Sequence, residues 1–462
     1  MQAAVSLRGT ACIFLHLPRL SYDSQGDWPA AGTIQMWLLR LGLDALQEPL
    51  EQADDWAWLA DHTVQIGQTK CLLIVGIRLS RWRQLGGQLT HHDLSVIALE
   101  PVEHSDGEIV RRQLEAIATE KGLPRVISSD HGSDLKNGIE LFQQKHPEVV
   151  STYDIAHKVA LLLKKLLEKD ARWAEFTQQC GQTKSRLQQT SLAHLIPPSA
   201  KSKARYMNAD VQVAWGLRVL QRLDRHASAA VDNANVPETG ETCHEGHGQA
   251  VALCMAKESM SDVAEASAET ALAGEHPDNG PCGVVLASES DRQLQDKLGW
   301  VRAFADSLAN WSILMTIAAV CRNFVRRHGY HADAAEQLRQ QLAPHAGNVM
   351  GDQLIDKVCS FVAAQSAVVP PGERFLGSTE ILESLIGKGK RLEGQQSKGG
   401  FTKMVLSLAA ATVAPTIERI KTALDRTLTK HVLSWAQTHI PRSLQARRRT
   451  DLPPLQSGTK AG

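Results

Sequence analysis

The spacing of apolar positions changes period twice along the chain. Residues 31–43, AGTIQMWLLRLGL, repeat Ile34, Trp37, Leu38 and Leu41 at helical spacing, with Arg40 off that face. From residue 56 the pattern is that of strands: WAWLADHTVQI (56–66), a turn containing Gly67, KCLLIVGIRL (70–79) and DLSVIALE (93–100). Residues 106–121 place Val110, Leu114, Ile117 and Ala118 on one helical face behind Ser105 and Asp106 as cap candidates. RVISS (125–129), a helix over 134–145 through Leu135, Ile139 and Phe142, and EVVSTYD (148–154) complete the run. The predicted order is β-β-β-α-β-α-β, antiparallel strands first and crossovers to parallel strands afterwards.

After Asp154 the period becomes helical and stays so, with helices predicted over 155–169, 208–225, 294–327, 333–343 and 352–366. PPGERFLG (370–377) breaks the chain, a helix starts at Ser378/Thr379, and a long amphipathic helix is expected over 415–437. Its buried face would be Ile417, Ile420, Leu424, Leu428 and Val432. The longest apolar runs, 311–320 and 405–414, are too short to span a bilayer. No basic-then-apolar signal opens the chain, so a cytoplasmic protein without a membrane partner is expected. The eight cysteines lack paired spacing and suit reduced thiols.

Charge changes this picture, because a formal net charge of zero conceals two opposite ends. Residues 232–292 carry twelve acidic residues against Lys257 and Arg292, a net of −10. Residues 384–462 carry fourteen Lys and Arg against four acidic residues, a net of +10, and include RSLQARRR (442–449). The basic end is an electrostatic footprint for a polyanion. The stretch 229–293, rich in Ala, Ser, Glu and Gly, reads as a flexible insertion, and 441–462 as a basic disordered tail.

Candidate chemistry begins with a misfit. Asp61 lies inside a strand among Trp58, Leu59 and Val64, where an unpaired carboxylate is costly. Asp130 stands at the end of the fourth strand, in VISSDHGSDL. In a sheet of this order the first and fourth strands are commonly neighbours, so the two carboxylates could converge beside the strand ends. Such a pair repels unless a cation or a shared proton joins it, and oxygen ligands favour Mg²⁺ or Mn²⁺. Glu383, in GSTEILESLIGKGK (377–390), borders the apolar stripe Ile381, Leu382, Leu385 and Ile386 and is the candidate third ligand. Lys390 returns to the same face two turns on. Glu380 and Asp154 are the rival carboxylates. His131, His157, the tryptophans Trp300 and Trp311, and the set Cys243, His244, His247 and Cys254 are weaker candidates for stacking, acid–base or zinc roles.

The strand order, Asp61 in ADHTVQIG, Asp130 in SSDHGSDL and Glu383 in STEILESLIGKGK together resemble the DDE transposases of bacterial insertion sequences. The resemblance implies an α/β ribonuclease H-like catalytic core, β-β-β-α-β-α-β-α, interrupted by a mainly α-helical insertion. It would divide the chain into a partial helix-turn-helix-like DNA-binding unit (1–50), the first part of the core (51–154), a helical insertion (155–370), the second part with the C-terminal helices (371–440) and the tail (441–462). It further implies that Asp61, Asp130 and Glu383 hold two Mg²⁺ (or Mn²⁺) ions for phosphodiester cleavage and joining of a 3′-hydroxyl to target DNA. Lys388 and Lys390 would contact backbone phosphates. The partners implied are double-stranded DNA, as terminal inverted repeats and target, and a second copy of the chain. The Glu-x6-Lys spacing is similar to the signature of one branch, but Leu376 and Thr379 stand where that branch has Tyr and Arg. Two other readings stay open: a catalytically decayed or co-opted transposase that only binds DNA, and a ribonuclease H-like nuclease without strand transfer.

Overall fold

Five strands form one mixed sheet in the computed structural model, which describes residues 5–16, 28–64, 69–201, 206–234, 289–394, 402–442 and 444–452. They are β1 (Trp56–Val64), β2 (Lys70–Arg78), β3 (Ser95–Val102), β4 (Val126–Ser129) and β5 (Val150–Tyr153), in the spatial order β3-β2-β1-β4-β5. β1 pairs antiparallel with β2, and β2 with β3; β4 runs parallel to β1, and β5 to β4. The parallel pairs are those joined through helices: α4 (Gly107–Lys121) precedes β4, and α5 (Ser133–Lys145) precedes β5.

Alternation along β1 assigns its two faces. Trp58 and Ala60 join Leu72, Ile74 and Ile127 under α4 and α5, whose Val110, Leu114, Ile139 and Phe142 complete that layer. Asp106 caps α4, its Oδ1 accepting from the Ile109 amide at 2.8 Å. Ala57 and Leu59 face the other way, into a core continuous with the rest of the helices. Those helices are α1 (Leu7–His16), α2 (Ala31–Gln47), α3 (Leu79–Gln84), α6 (Ile155–Leu167), α7 (Ala171–Leu187), α8 (Ala209–Ala234), α9 (Glu289–Leu298), α10 (Ala305–His328), α11 (Ala334–Leu342) and α12 (Val349–Ser366). After them come α13 (Glu380–Glu393), α14 (Leu406–Ala410), α15 (Ile417–Arg426), α16 (Thr429–His439) and α17 (Leu444–Asp451). The result is an α/β core with a large helical region between β5 and α13.

That helical region is built on aromatic packing. Trp173 meets Trp311 edge-to-face at 5.0 Å, and Trp311 Nε1 donates to Asp170 Oδ2 at 2.8 Å. Trp311 is fully buried and Trp300 packs against Phe176, so both tryptophans serve the core. The run Arg292–His328 is apolar and long enough to cross a bilayer by composition, but its Leu308, Trp311, Leu314 and Ile317 are buried in this core.

Several elements differ from the sequence expectation. α7 has no counterpart in the predicted elements, because ARWAEFTQQCGQTKSRL spaces its few apolar residues widely; Trp173, Phe176, Cys180 and Leu187 nonetheless share its buried face. α8 continues to Ala234 and α9 starts at Glu289, so the ends of the acidic stretch are helical, and 235–288 lies outside the described residues. Residues 444–451 of the expected disordered tail form α17. The single helix expected over 415–437 is two helices, and Ile417 and Leu428 of its expected buried face are 67% and 43% exposed.

The break has a tertiary cause on α2. Arg40 donates to the backbone carbonyls of Leu424 and Thr427, taking the acceptors a continuous helix would use itself. Asp44, one turn further along α2 and 4% exposed, accepts from Arg426, Arg419 and the Thr427 hydroxyl. Leu39 and Leu43 are the core residues of α2, whereas Trp37 on the expected apolar face is exposed. Burial pushes the Asp44 carboxyl up, but hydrogen bonds and charges from Arg426 and Arg419 outweigh it and leave its pKa lowered. Asp44→Ala should therefore destabilise the protein by about 2–3 kcal/mol, a buried-pair loss discounted because Arg426 is half in solvent. The stabilisation is present above the unfolded carboxylate value, about 3.9, and is lost as pH falls through the lower folded value. Urea titrations of both proteins at neutral pH and near pH 3 should show the difference shrinking in acid.

Candidate active site

The parallel register of β1 and β4 runs from Ala57 opposite Val126 to Ala60 opposite Ser129. The next residue on each strand is a carboxylate, Asp61 on β1 and Asp130 just past β4. β5 continues the register, with Ser129 opposite Tyr153, so Asp154 follows as the next residue there. Asp130 and Asp154 thus follow the ends of β4 and β5, while Asp61, level with them, lies inside β1, which runs three residues further to Val64. Asp61, in step with Ala57 and Leu59, lies on the sheet face that α13 crosses.

Asp154 has a structural assignment. It is fully buried and caps α6, accepting from the amides of Ala156 and His157 at 3.1 Å each. Its Oδ1 also accepts from the Thr379 amide at 3.3 Å, at the start of α13 and 225 residues away in sequence. The hydroxyls of Ser128 and Thr152 donate to the Leu376 carbonyl at 3.1 and 3.0 Å, and the Ile155 amide donates to the Gly377 carbonyl at 2.8 Å. Tyr330 pairs with Phe375 by two backbone hydrogen bonds and donates its hydroxyl to the Tyr153 carbonyl at 2.7 Å. Gly377 is required there, since a Cβ would come within 2.4 Å of the Tyr330 ring and 2.5 Å of Val325. These contacts fix the approach of α13 to the strand ends.

Glu383 follows one turn into α13, its amide bonded to the Thr379 carbonyl at 3.1 Å and its Oε1 shielded from solvent. Glu380, the rival on the same helix, is committed to Arg322 at 3.4 Å. Lys390 is exposed and lines a small gap with Thr63 of β1, whereas the Lys388 ammonium lies 2.9 Å from His91 Nδ1. The two lysines therefore serve different surroundings. The scaffold brings Asp61, inside β1, level with Asp130 at the end of the neighbouring β4, and carries α13 over β1. Among the described residues, however, no three His, Cys, Asp or Glu side chains are drawn together as a metal-binding group. Like charges at adjacent strand ends oppose such a gathering until a cation offsets them.

Sequence reasoning missed the pins on α13, although two serines ending the fully buried strand VISS are a visible oddity. It also missed a polar cluster on the α5 side of the strand ends. Asp134 accepts from Lys70 Nζ and Ser105 Oγ, each at 2.8 Å, and lies 3.6 Å from His62 Nδ1. Burial raises the Asp134 pKa, but the hydrogen bonds from Lys70 and Ser105 prevail and bring it down to about 2. Burial pushes the His62 pKa down, so this imidazole is neutral at pH 7. Ser105 Oγ also lies 3.5 Å from His62 Nε2, but its proton is donated to Asp134 at 2.8 Å, so the imidazole is not placed as the base for this hydroxyl. His131 takes a positive φ of 53° and stacks on Tyr153 at 4.5 Å, while His157 lies tilted against the same ring at 5.7 Å. Cys243, His244, His247 and Cys254 lie outside the described residues.

No protein-family model matches this chain, and no curated protein matches it at a significant level. The geometry therefore carries the functional reading alone. Asp154→Ala would orphan three buried amides at about 1–3 kcal/mol each. It should lower stability in urea by about 3 kcal/mol or more and raise amide exchange over 377–386 while leaving β2 protected.

Proposed function

We propose that this protein is a DDE-type transposase with a ribonuclease H-like catalytic core, acting on the ends of a DNA element and joining them to a target. The observation that carries the reading is the β1/β4 register, which sets Asp61 beside Asp130 on the face crossed by the helix bearing Glu383. The strand order β3-β2-β1-β4-β5, and the long helical region between β5 and α13, support the assignment of the core.

The donor chemistry suits a hard divalent cation: three carboxylates, one inside β1, one just past β4 and one on a pinned helix. Mg²⁺ or Mn²⁺ held by Asp61, Asp130 and Glu383 would supply nucleophile activation and charge neutralisation at phosphorus. The chain's own contribution is position. Ser128, Thr152 and Asp154 hold the entry to α13, the helix that carries Glu383 across β1. Lys390, exposed near the end of the same helix, is available to a backbone phosphate. Joining two element ends calls for two copies of the chain. A second reading, a DNA-binding relative without catalysis, is favoured by the ungathered carboxylates.

The two readings separate by experiment. Duplex DNA carrying the sequences that flank the gene should be nicked in the presence of Mg²⁺ or Mn²⁺. Asp61→Asn, Asp130→Asn and Glu383→Gln should each reduce nicking by about a hundredfold or more, since each removes a ligand of the ions that do the chemistry. Calorimetric titration with Mn²⁺ should show binding to the parent chain and its loss in the Asp61→Asn, Asp130→Asn double variant. DNA binding without nicking, and no Mn²⁺ heat in the parent chain, would favour the non-catalytic reading.

A further inference from the structure

β2 ends at Arg78, opposite the first residue of β1, so α3 departs from the end of the sheet remote from Asp61 and Asp130. This short helix ends in Arg81 and Arg83. The chain then turns through Gly86 and Gly87, at φ of 58° and 75°, and returns against the C-terminus of α10. A Cβ on Gly87 would lie 2.4 Å from the Arg326 carbonyl oxygen and 2.8 Å from Arg327 Cα, so only glycine permits this approach. The contact packs the turn after α3 against the end of α10 that carries Arg326 and Arg327. Arg374 joins them from the segment leading to α13, its Nε and Nη2 donating to the His328 carbonyl at 3.1 and 2.9 Å. Arg83 in turn donates to the Arg374 carbonyl at 3.5 Å.

The charge of this cluster is not balanced within the described residues. Arg81 pairs with Asp93 at 3.4 Å, but no carboxylate among the described residues lies within 4 Å of Arg83, Arg326, Arg327 or Arg374. Of the nearby acids, Glu380 pairs with Arg322 and Glu373 with Arg125, while Asp333 lies close enough to His331 to raise its pKa against the Arg374 charge. The α10 C-terminus accounts for part of the attraction, but its half-charge does not offset four guanidinium groups. Burial lowers the pKa of His328 and His331, and the Arg374 charge lowers both further, as a positive field would. Arg83, Arg326 and Arg327 are exposed and come from two helix ends; Arg326 also lines a cavity with Trp82, Gly87 and Glu380.

We propose that Arg83, Arg326, Arg327 and Arg374 form a docking surface for the phosphate backbone of duplex DNA, separate from the carboxylate site. The surface positions DNA without reading its bases, as guanidinium–phosphate contacts do. It is distinct from the basic C-terminal end seen in the sequence. It goes beyond the transposase reading, because it requires duplex binding but no catalysis.

The test uses the full chain and fluorescence anisotropy with a labelled duplex oligonucleotide over a salt series. Arg83→Gln with Arg327→Gln, both exposed, should weaken binding several-fold at moderate salt. The slope of log K against log salt should fall by about 0.9 for each phosphate left without its arginine, so by about two for the pair. Arg83→Lys with Arg327→Lys should retain most of the affinity, and thermal melting should match the parent for both variants. Unchanged affinity and slope in the Gln pair would overturn the proposal. So would competition by inorganic phosphate well beyond its ionic strength, which would mark a site for a single small anion. Patch-dependent binding without nicking would count against the transposase reading alone; nicking with binding indifferent to the patch would count against this proposal alone.

Discussion

The arrangement at the strand ends depends on a few hydrogen bonds that tie the segment before α13 to β4 and β5. Ser128 and Thr152 hold one carbonyl, the Ile155 amide holds the next, and Asp154 receives the Thr379 amide. All these groups are buried, so water cannot replace a missing partner and each bond is costly to break. The direction of α13 over the sheet, and with it the place of Glu383, follows from them. Asp154 illustrates how a carboxylate at a strand end can be structural: its oxygens are answered by amides of two elements, which suits a pin and not a ligand awaiting a cation.

Much of the fold was legible because period and burial agree locally. The alternation in β1, the continuous apolar run of β2 and the capped α4 each announce their state within ten or fifteen residues. Asp61 stood out for the opposite reason, as a residue at odds with its strand, and the register then set it level with Asp130 just past the end of β4. What was not legible is what distant segments do to one another. The helix over 415–437 is a sound amphipathic pattern, and it is interrupted because Arg40 and Asp44, nearly 400 residues earlier, claim its carbonyl and side-chain groups at the joint. The pins on α13 bridge more than 220 residues and leave no local trace beyond two serines in a buried strand.

The same division holds for charge. Sequence composition located a basic C-terminal end because fourteen lysines and arginines fall within one continuous stretch of chain that holds only four acids. The arginine cluster of α3, α10 and Arg374 draws on segments far apart in the chain and becomes visible only when a glycine lets two helix ends meet. Within each segment the arginines look like ordinary helix-terminal cations.

The separation of β5 from α13 also bears on how the protein is made. Ala57, Leu59, Leu73 and Val75 expose one face of the sheet as soon as the strands pair, yet α13, which covers part of that face, is synthesised more than 220 residues after β5. Closing so long a loop directly is entropically unfavourable, although the cost grows only slowly with length. The helices α6–α12 share one apolar core with this face of the sheet, so the region that forms the loop also packs its two ends together. Until α13 is made, the part of the face it covers is an apolar surface open to other chains.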